Sequence, residues 1–195
     1  SKGDSIVRKL IFIQVGIFLA VNIAMLISWA ITGSNLIFAE NVVKYFMLPA
    51  DLSLLVRRPW TLITHFFLHT TLFHILFNML TLYWMGTLLE DYIGKFKTLR
   101  VFIWGGIAGA FFYILAYNTL PVFASTISQS FALGASAGVL AIMAAAATLL
   151  PNYEVNLVFF GFVKLKWLAL IFFLLDLISI NVSNPGGHIA HIGGI

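Results

Sequence analysis

Long apolar runs separated by short polar stretches dominate this chain, and they predict membrane-spanning helices. A hydrocarbon layer about 30 Å thick requires about 20 apolar residues in helical form. The runs predict spans over residues 10–31, 72–92, 99–117, 136–150 and 167–182, and a sixth that begins at residue 188. The predicted fold class is therefore all-α, a polytopic membrane helical bundle with a six-span core.

The sixth run stops at Ile195 after about two helical turns, which is too short to cross a bilayer. We therefore expect residues 1–195 to form one membrane domain that is incomplete at its C-terminal end, with the sixth span truncated. Such a stub is expected to be poorly stable and inactive unless further apolar residues follow it.

The connections between these runs differ in character. Residues 33–71 are too apolar for a solvated loop and too interrupted to span, which favours a re-entrant or interfacial element with Trp60 at the headgroup level. Turns are predicted over 93–98 and 183–187, and a charge-free polar loop over 118–133. Residues 152–166 hold an apolar stretch too short to cross.

Positive charge is distributed unequally between the two ends of the predicted spans. Eight lysines and arginines fall at one end: Lys2, Arg8, Lys9, Lys95, Lys97, Arg100, Lys164 and Lys166. Three fall at the other: Lys44, Arg57 and Arg58. Because cytoplasmic loops carry the excess of such residues, the N-terminus is predicted to be cytoplasmic, most naturally in a bacterial inner membrane.

Composition narrows the function classes. The chain is 61% hydrophobic and 9% charged, which excludes an ordinary soluble domain. It contains no cysteine, so neither a disulfide framework nor a thiolate site is available. The net charge of +4 reflects loop residues near membrane surfaces, so no nucleic-acid partner is expected, and no cofactor is implied.

The run from Ser136 to Leu150 has an unusual relation to the membrane. Fifteen helical residues cover only about 22 Å, and Pro151 ends the helix at one face. The missing length falls at the other end, which places Ser136 roughly 8 Å inside the bilayer. The chain before it then enters the membrane without helical structure, which is tolerated only inside protein or beside a water-filled cavity.

Four polar residues from three predicted spans fall at a similar depth: His74, Asn78, Ser136 and His191. Polar groups at this depth are costly unless they face the bundle interior. A histidine can act as the base that activates a serine, and an acyl-transfer intermediate needs hydrogen-bond donors for its oxyanion. The unpaired N–H groups at the start of the Ser136 helix are such donors, and His74 and Asn78 are candidates for others.

Simpler explanations exist for each residue alone. Small residues around Ser136 in an apolar helix usually serve packing, and His74 with Asn78 often make interhelical hydrogen bonds. We expect three further histidines at the membrane interface: His65, His69 and His188. Asp176 either orients His191 or caps backbone. No metal site is predicted, because no carboxylate lies near the histidines in sequence.

The joint pattern resembles the rhomboid family of intramembrane serine proteases. The segments that carry the resemblance are Gly134-Ala135-Ser136, His74 with Asn78 four residues later, and Ala190-His191 followed by Gly193-Gly194. The resemblance implies that Ser136 is the nucleophile and His191 the base, a dyad without an aspartate. It also implies an oxyanion hole formed by His74, Asn78 and the Ser136 backbone, with Gly134 in support.

The leading functional prediction is thus a serine endopeptidase that cleaves single-span membrane proteins near the extracytoplasmic boundary. The alternative is a catalytically inactive rhomboid-like protein that binds transmembrane clients. That class is expected to lack Ser136 or His191, and both are present. A solute transporter is a third alternative, but paired internal repeats and half-helices in both halves are not evident.

Overall fold

The computed structural model describes residues 5–157 and 161–195, and helices form most of this part of the chain. The α-helices are α1 Ile6–Thr32, α2 Leu36–Phe38, α3 Lys44–Phe46, α4 Leu52–Arg57, α5 Thr61–Thr64, α6 Leu72–Ile93, α7 Lys95–Thr119, α8 Ser136–Leu149, α9 Leu165–Ser179 and α10 Pro185–Gly194. A π-helical turn covers Ala39–Val43, and 3₁₀ turns cover His65–Phe67, Pro121–Phe123 and Ile127–Gln129.

Within the described residues, α1, α6 and α7 are long and apolar enough to cross a membrane. Their outward faces carry large apolar side chains, such as Phe12 at 75% and Phe77 at 65% exposure. Faces of this kind are stable against lipid rather than water. The remaining long helices, α8, α9 and α10, have 14, 15 and 10 residues.

Two predicted turns differ from their expected bounds: the first is shorter, and the second begins and ends three residues earlier. The turn predicted over 93–98 is reduced to Gly94, whose φ of 83° ends α6, and α7 resumes at once at Lys95. The turn predicted over 183–187 also ends early, because Pro185 occupies the first position of α10 and Asn184 accepts a hydrogen bond from the Gly187 N–H. Proline fits that position because its missing N–H would be unpaired there anyway.

The all-α prediction needs one correction, since the described residues contain two small antiparallel sheets. Strand β1 (Leu48–Pro49) pairs with β2 (Phe131–Ala132). Strand β3 (Glu154–Leu157) pairs with β4 (Gly161–Lys164), within the stretch predicted to be too short to cross. Strands of two to four residues leave no readable alternation in the sequence, which is why the apolar pattern did not reveal them.

The long connection between α1 and α6 is built of short helical turns and β1, in line with the prediction of a non-spanning element. Trp60 donates its indole N–H to the Tyr45 carbonyl at 3.2 Å, and Thr64 donates to the Phe46 carbonyl at 2.8 Å. The guanidinium of Arg58 stacks over the Tyr45 ring at 4.7 Å. These contacts fold the connection onto itself.

Glycines allow α7 to approach α8 and α10 closely. A Cβ added at Gly105 would lie 2.1 Å from the Ala141 Cβ. A Cβ at Gly109 would lie 2.5 Å from the Ala190 carbonyl oxygen and 2.6 Å from the Ala137 Cβ. Small residues in membrane helices let backbones meet in this way.

Gly109 therefore provides a test of this packing. We expect Gly109→Ala to destabilise the protein by about 1–3 kcal/mol, because the backbone of α10 must move to admit the methyl group. Gly16→Ala in α1 is the matched control, since nothing lies within 4 Å of its added Cβ. Thermal unfolding in detergent measures both, and equal melting temperatures for the two variants would contradict the packing argument.

Candidate active site

Ser136 begins α8, and the chain before it is held in place by the long connection. The β1–β2 pair fixes residues 131 and 132, and the Gly134 N–H donates to the His65 carbonyl at 2.8 Å. Gly134 has a φ of 123°, a conformation that favours glycine. Gly134 and Ala135 are buried and residues 131–133 are half-buried, so protein covers much of the non-helical segment before Ser136.

Ser136 and His191 come together across 55 residues of sequence. The distance between Ser136 Oγ and His191 Nε2 is 2.6 Å. Helix α10 lies against both α7 and α8, and a Cβ added at Gly194 would lie 2.5 Å from the Ala137 carbonyl oxygen. The hydrogen bond therefore depends on the close approach of three helices.

Asp176 of α9 extends this pair into a chain of hydrogen bonds. The distance between its Oδ1 and His191 Nδ1 is 2.8 Å. Because an ionised carboxylate only accepts, the His191 proton belongs on Nδ1, which leaves Nε2 free to accept the hydroxyl proton of Ser136. The resemblance implied a dyad without an aspartate, and the residues alone left open whether Asp176 orients His191 or caps backbone. The contact departs from the simple dyad and favours orientation.

His74 and Asn78, which both belong to α6, lie beside Ser136. An added Cβ at Gly134 would lie 2.9 Å from His74 Nε2 and 3.6 Å from Ser136 Oγ, so both atoms border the same point. Asn78 is 7% exposed and donates one amide hydrogen to the His74 carbonyl at 2.8 Å, which leaves its second amide hydrogen available. Ala135, which precedes α8, provides no side-chain cap for its first N–H groups.

Two cavities meet at this cluster. One has a volume of about 440 Å³, lies between α6 and α9, and is lined by apolar side chains including Phe77, Phe172 and Leu175. The other has a volume of about 250 Å³ and is lined by residues of the β1–β2 region and of α10. Three residues border both cavities: His74, Ser136 and His191.

Two of the three histidines expected at the membrane interface, His65 and His69, are buried inside the protein. His65 is 5% and His69 6% exposed, and His65 Nδ1 lies 2.6 Å from the Thr61 carbonyl oxygen. Burial lowers the pKa of each to about 4, so both are neutral near pH 7. The segments around them are too short to give a periodic sequence signal of burial.

His188 is the residue that sequence reasoning missed at the site. Its Nδ1 lies 2.7 Å from the same Asp176 oxygen that contacts His191. The prediction of no metal site rested on the absence of a carboxylate near the histidines in sequence. The fold brings Asp176 to two histidines that lie 12 and 15 residues away, and the ligand atoms of the three residues lie within 4.8 Å of one another. The spacing of His188 and His191 at i and i+3 was the available signal.

The helices and the polar site together identify the general class of protein. Apolar helices of membrane-spanning length around a buried polar cluster place the chain among the integral membrane proteins. A family model described as the Rhomboid domain matches residues 56–195, and the chain therefore belongs to the rhomboid family.

A relative by sequence is a protein of Arabidopsis thaliana named RHOMBOID-like protein 12, mitochondrial. The two are 31% identical over 143 residues. The match covers 69% of this chain but only 43% of the relative. The chain thus spans less than half the length of that protein.

Mutation of Asp176 can show whether this residue acts in the reaction or only in the stability of the fold. We expect Asp176→Ala to lower the rate of Ser136 acylation by about 10²–10⁴-fold, because His191 loses the acceptor that fixes its tautomer. Asp176→Asn keeps an acceptor oxygen and should lie between wild type and Asp176→Ala. The rate of labelling by a fluorophosphonate is compared with the melting temperature of each variant. A slow Asp176→Ala that has also lost its folded state, alongside a fully active Asp176→Asn, would assign Asp176 to stability alone.

Proposed function

We propose that this chain is an intramembrane serine endopeptidase that cleaves transmembrane-helix substrates near the extracytoplasmic boundary. The observation that carries the proposal is the 2.6 Å contact between Ser136 Oγ and His191 Nε2, enclosed among apolar helices. A serine hydroxyl in contact with an acceptor imidazole is the arrangement that nucleophilic catalysis requires. Membership of the rhomboid family further supports the proposal.

In the proposed first step, Ser136 Oγ attacks the scissile carbonyl carbon while its proton passes to His191 Nε2. Asp176 holds the imidazole in the required tautomer and stabilises its positive charge. The carbonyl π electrons move onto oxygen and form the oxyanion. When the tetrahedral intermediate collapses, the C–N bond breaks and His191 returns the proton to the leaving amine.

The oxyanion is stabilised by donors that are already in place. The Ser136 N–H points out of the start of α8, where the positive end of the helix dipole lies. His74 in its Nε2–H form and the free amide hydrogen of Asn78 supply side-chain donors. In other serine enzymes, loss of one such donor slows the reaction by about 10²–10³-fold.

The two cavities suit the two reactants. A substrate helix approaches from lipid between α6 and α9, where Phe77 and Leu175 are exposed and line the larger cavity. Water for hydrolysis of the acyl-enzyme reaches Ser136 through the smaller cavity, whose lining includes Asn184 and Thr70. His191 then activates that water as it activated the serine.

The finer architecture belongs to the same proposal. We take α8, α9 and α10 as three further spans or parts of spans beside α1, α6 and α7, which gives six in all. The basic residues near Lys95 and Lys164 are placed in the cytoplasm by charge. Assignment to a bacterial plasma membrane stays a prediction, since the plant relative carries the word mitochondrial in its name.

Sidedness has its own test. Because the sequence contains no cysteine, Gly94→Cys and Asn184→Cys can be labelled singly with a membrane-impermeant thiol reagent. We expect Asn184→Cys to react from outside intact cells or sealed vesicles and Gly94→Cys to react only after the membrane is opened. Labelling of both positions from the same side would contradict the proposed orientation.

Activity is tested by two measurements on the purified protein in lipid, expressed together with any residues that follow Ile195 in the natural chain. A fluorophosphonate probe is expected to label wild type but not Ser136→Ala, and wild type is expected to cleave a single-span substrate. Ser183→Ala, at an exposed loop serine, is the control for the loss of a hydroxyl group. The alternative function, an inactive protein that binds transmembrane clients, predicts client binding with neither labelling nor cleavage, and that result would replace the protease proposal.

A further inference from the structure

One buried carboxylate oxygen in this structure accepts hydrogen bonds from two imidazole rings. His188 Nδ1 and His191 Nδ1 lie 2.7 Å and 2.8 Å from Asp176 Oδ1. The side chain of Asp176 is 9% exposed, whereas those of His188 and His191 retain 21% and 24% exposure. The proposed reaction needs only His191 on this carboxylate, so it gives His188 no task.

The three side chains match the ligand preferences of a particular kind of ion. Two imidazole nitrogens and one carboxylate oxygen suit Zn²⁺ and similar transition-metal cations, whereas Mg²⁺ and Ca²⁺ prefer oxygen ligands. Ligand atoms at zinc bond lengths around a tetrahedral ion lie about 3.4 Å apart. The separations here run from 2.7 Å to no more than 4.8 Å and bracket that value.

The fold holds these ligands on two anchored elements. His188 and His191 are i and i+3 on α10 and therefore share a face of the helix. The Asn184 cap and Pro185 fix the start of that helix, and Asp176 projects from α9. All three residues line the larger cavity, which gives an ion a path to them and leaves space for water as a fourth ligand.

We propose that Asp176, His188 and His191 form a binding site for a Zn²⁺-type cation, and that the bound metal switches off Ser136. The inhibition rests on the proposed protease function, whereas the binding does not. The mechanism of inhibition follows from the two nitrogens of His191. The metal takes the Nδ1 lone pair of His191, so the Nδ1 proton leaves to water and the neutral ring takes up one proton from water on Nε2. His188 likewise releases its Nδ1 proton to water when that nitrogen binds the metal. A protonated Nε2 cannot accept the proton of the Ser136 hydroxyl.

Binding and inhibition are measured separately on the purified full chain in detergent. Co²⁺, which gives visible absorption bands in tetrahedral sites, reports on binding, and competition by Zn²⁺ gives the affinity. Fluorophosphonate labelling of Ser136 is followed over a Zn²⁺ titration, with each variant compared with its own EDTA-treated form. Mg²⁺ replaces Zn²⁺ in a parallel series.

Two histidine variants distinguish this site from a neighbouring pair. His188→Gln removes one proposed ligand. His69→Gln is the matched control, because the His69 and His74 rings lie 4.9 Å apart and offer the other imidazole pair near Ser136. Should His188→Gln fail to fold, Asp176→Asn replaces it as the ligand variant. The Co²⁺ spectrum and the comparison of Zn²⁺ with Mg²⁺ are made on wild type and need no variant.

We expect Zn²⁺, but not Mg²⁺, to suppress labelling of wild type, and EDTA to restore it. His188→Gln should raise the half-inhibitory Zn²⁺ concentration by more than about 100-fold, since even loss of an outer-shell partner costs 10–100-fold in metal affinity. His69→Gln should leave that concentration unchanged. The proposal is overturned if wild type gives no Co²⁺ bands, if Mg²⁺ inhibits equally, or if His69→Gln is the variant that escapes zinc. If Ser136 is never labelled, the protease proposal fails while the Co²⁺ measurement still decides the binding site.

Discussion

Close contact between the backbones of α7, α8 and α10 is the constraint on which the candidate site depends. Ser136 and His191 belong to different helices, and their 2.6 Å contact exists only if both helices sit against α7 without intervening side chains. Gly109 provides this, because it faces Ala137 of α8 and Ala190 of α10 at once. Each of those residues directly neighbours one member of the hydrogen-bonded pair. The packing of small residues and the geometry of the site are therefore a single feature.

The apolar pattern predicted the large elements well, because long helices leave a long signal. The span predicted over 72–92 is observed as Leu72–Ile93, and the helix from Ser136 ends one residue before its predicted end, at Leu149. Short elements were not predictable in this way. The β1–β2 pair joins residues some 80 positions apart, and its register comes from tertiary contact rather than from the composition of either strand.

The residues of the candidate site differ in the same way, since some could be predicted from the sequence and others could not. Ser136, His74, Asn78 and His191 could be predicted as site residues because each is a polar residue at a similar predicted depth within an apolar helical segment. The partners of His191 were harder to assign. Asp176 and His188 lie on helices joined by a tight turn, and only the angle between α9 and α10 decides whether their side chains meet. Sequence separation and helical period contain no information about that angle.

The start of α1 has a consequence for how the chain is threaded. The Glu90 carboxylate, near the end of α6, accepts hydrogen bonds from the Ser5 hydroxyl and from the N–H groups of Ile6 and Val7. The start of α1 thus lies beside the end of α6. The two helices therefore run in opposite directions. The intervening 33–71 connection must then return to the face from which it departed. Whatever depth it reaches, it makes an even number of crossings, and the simplest even number is zero.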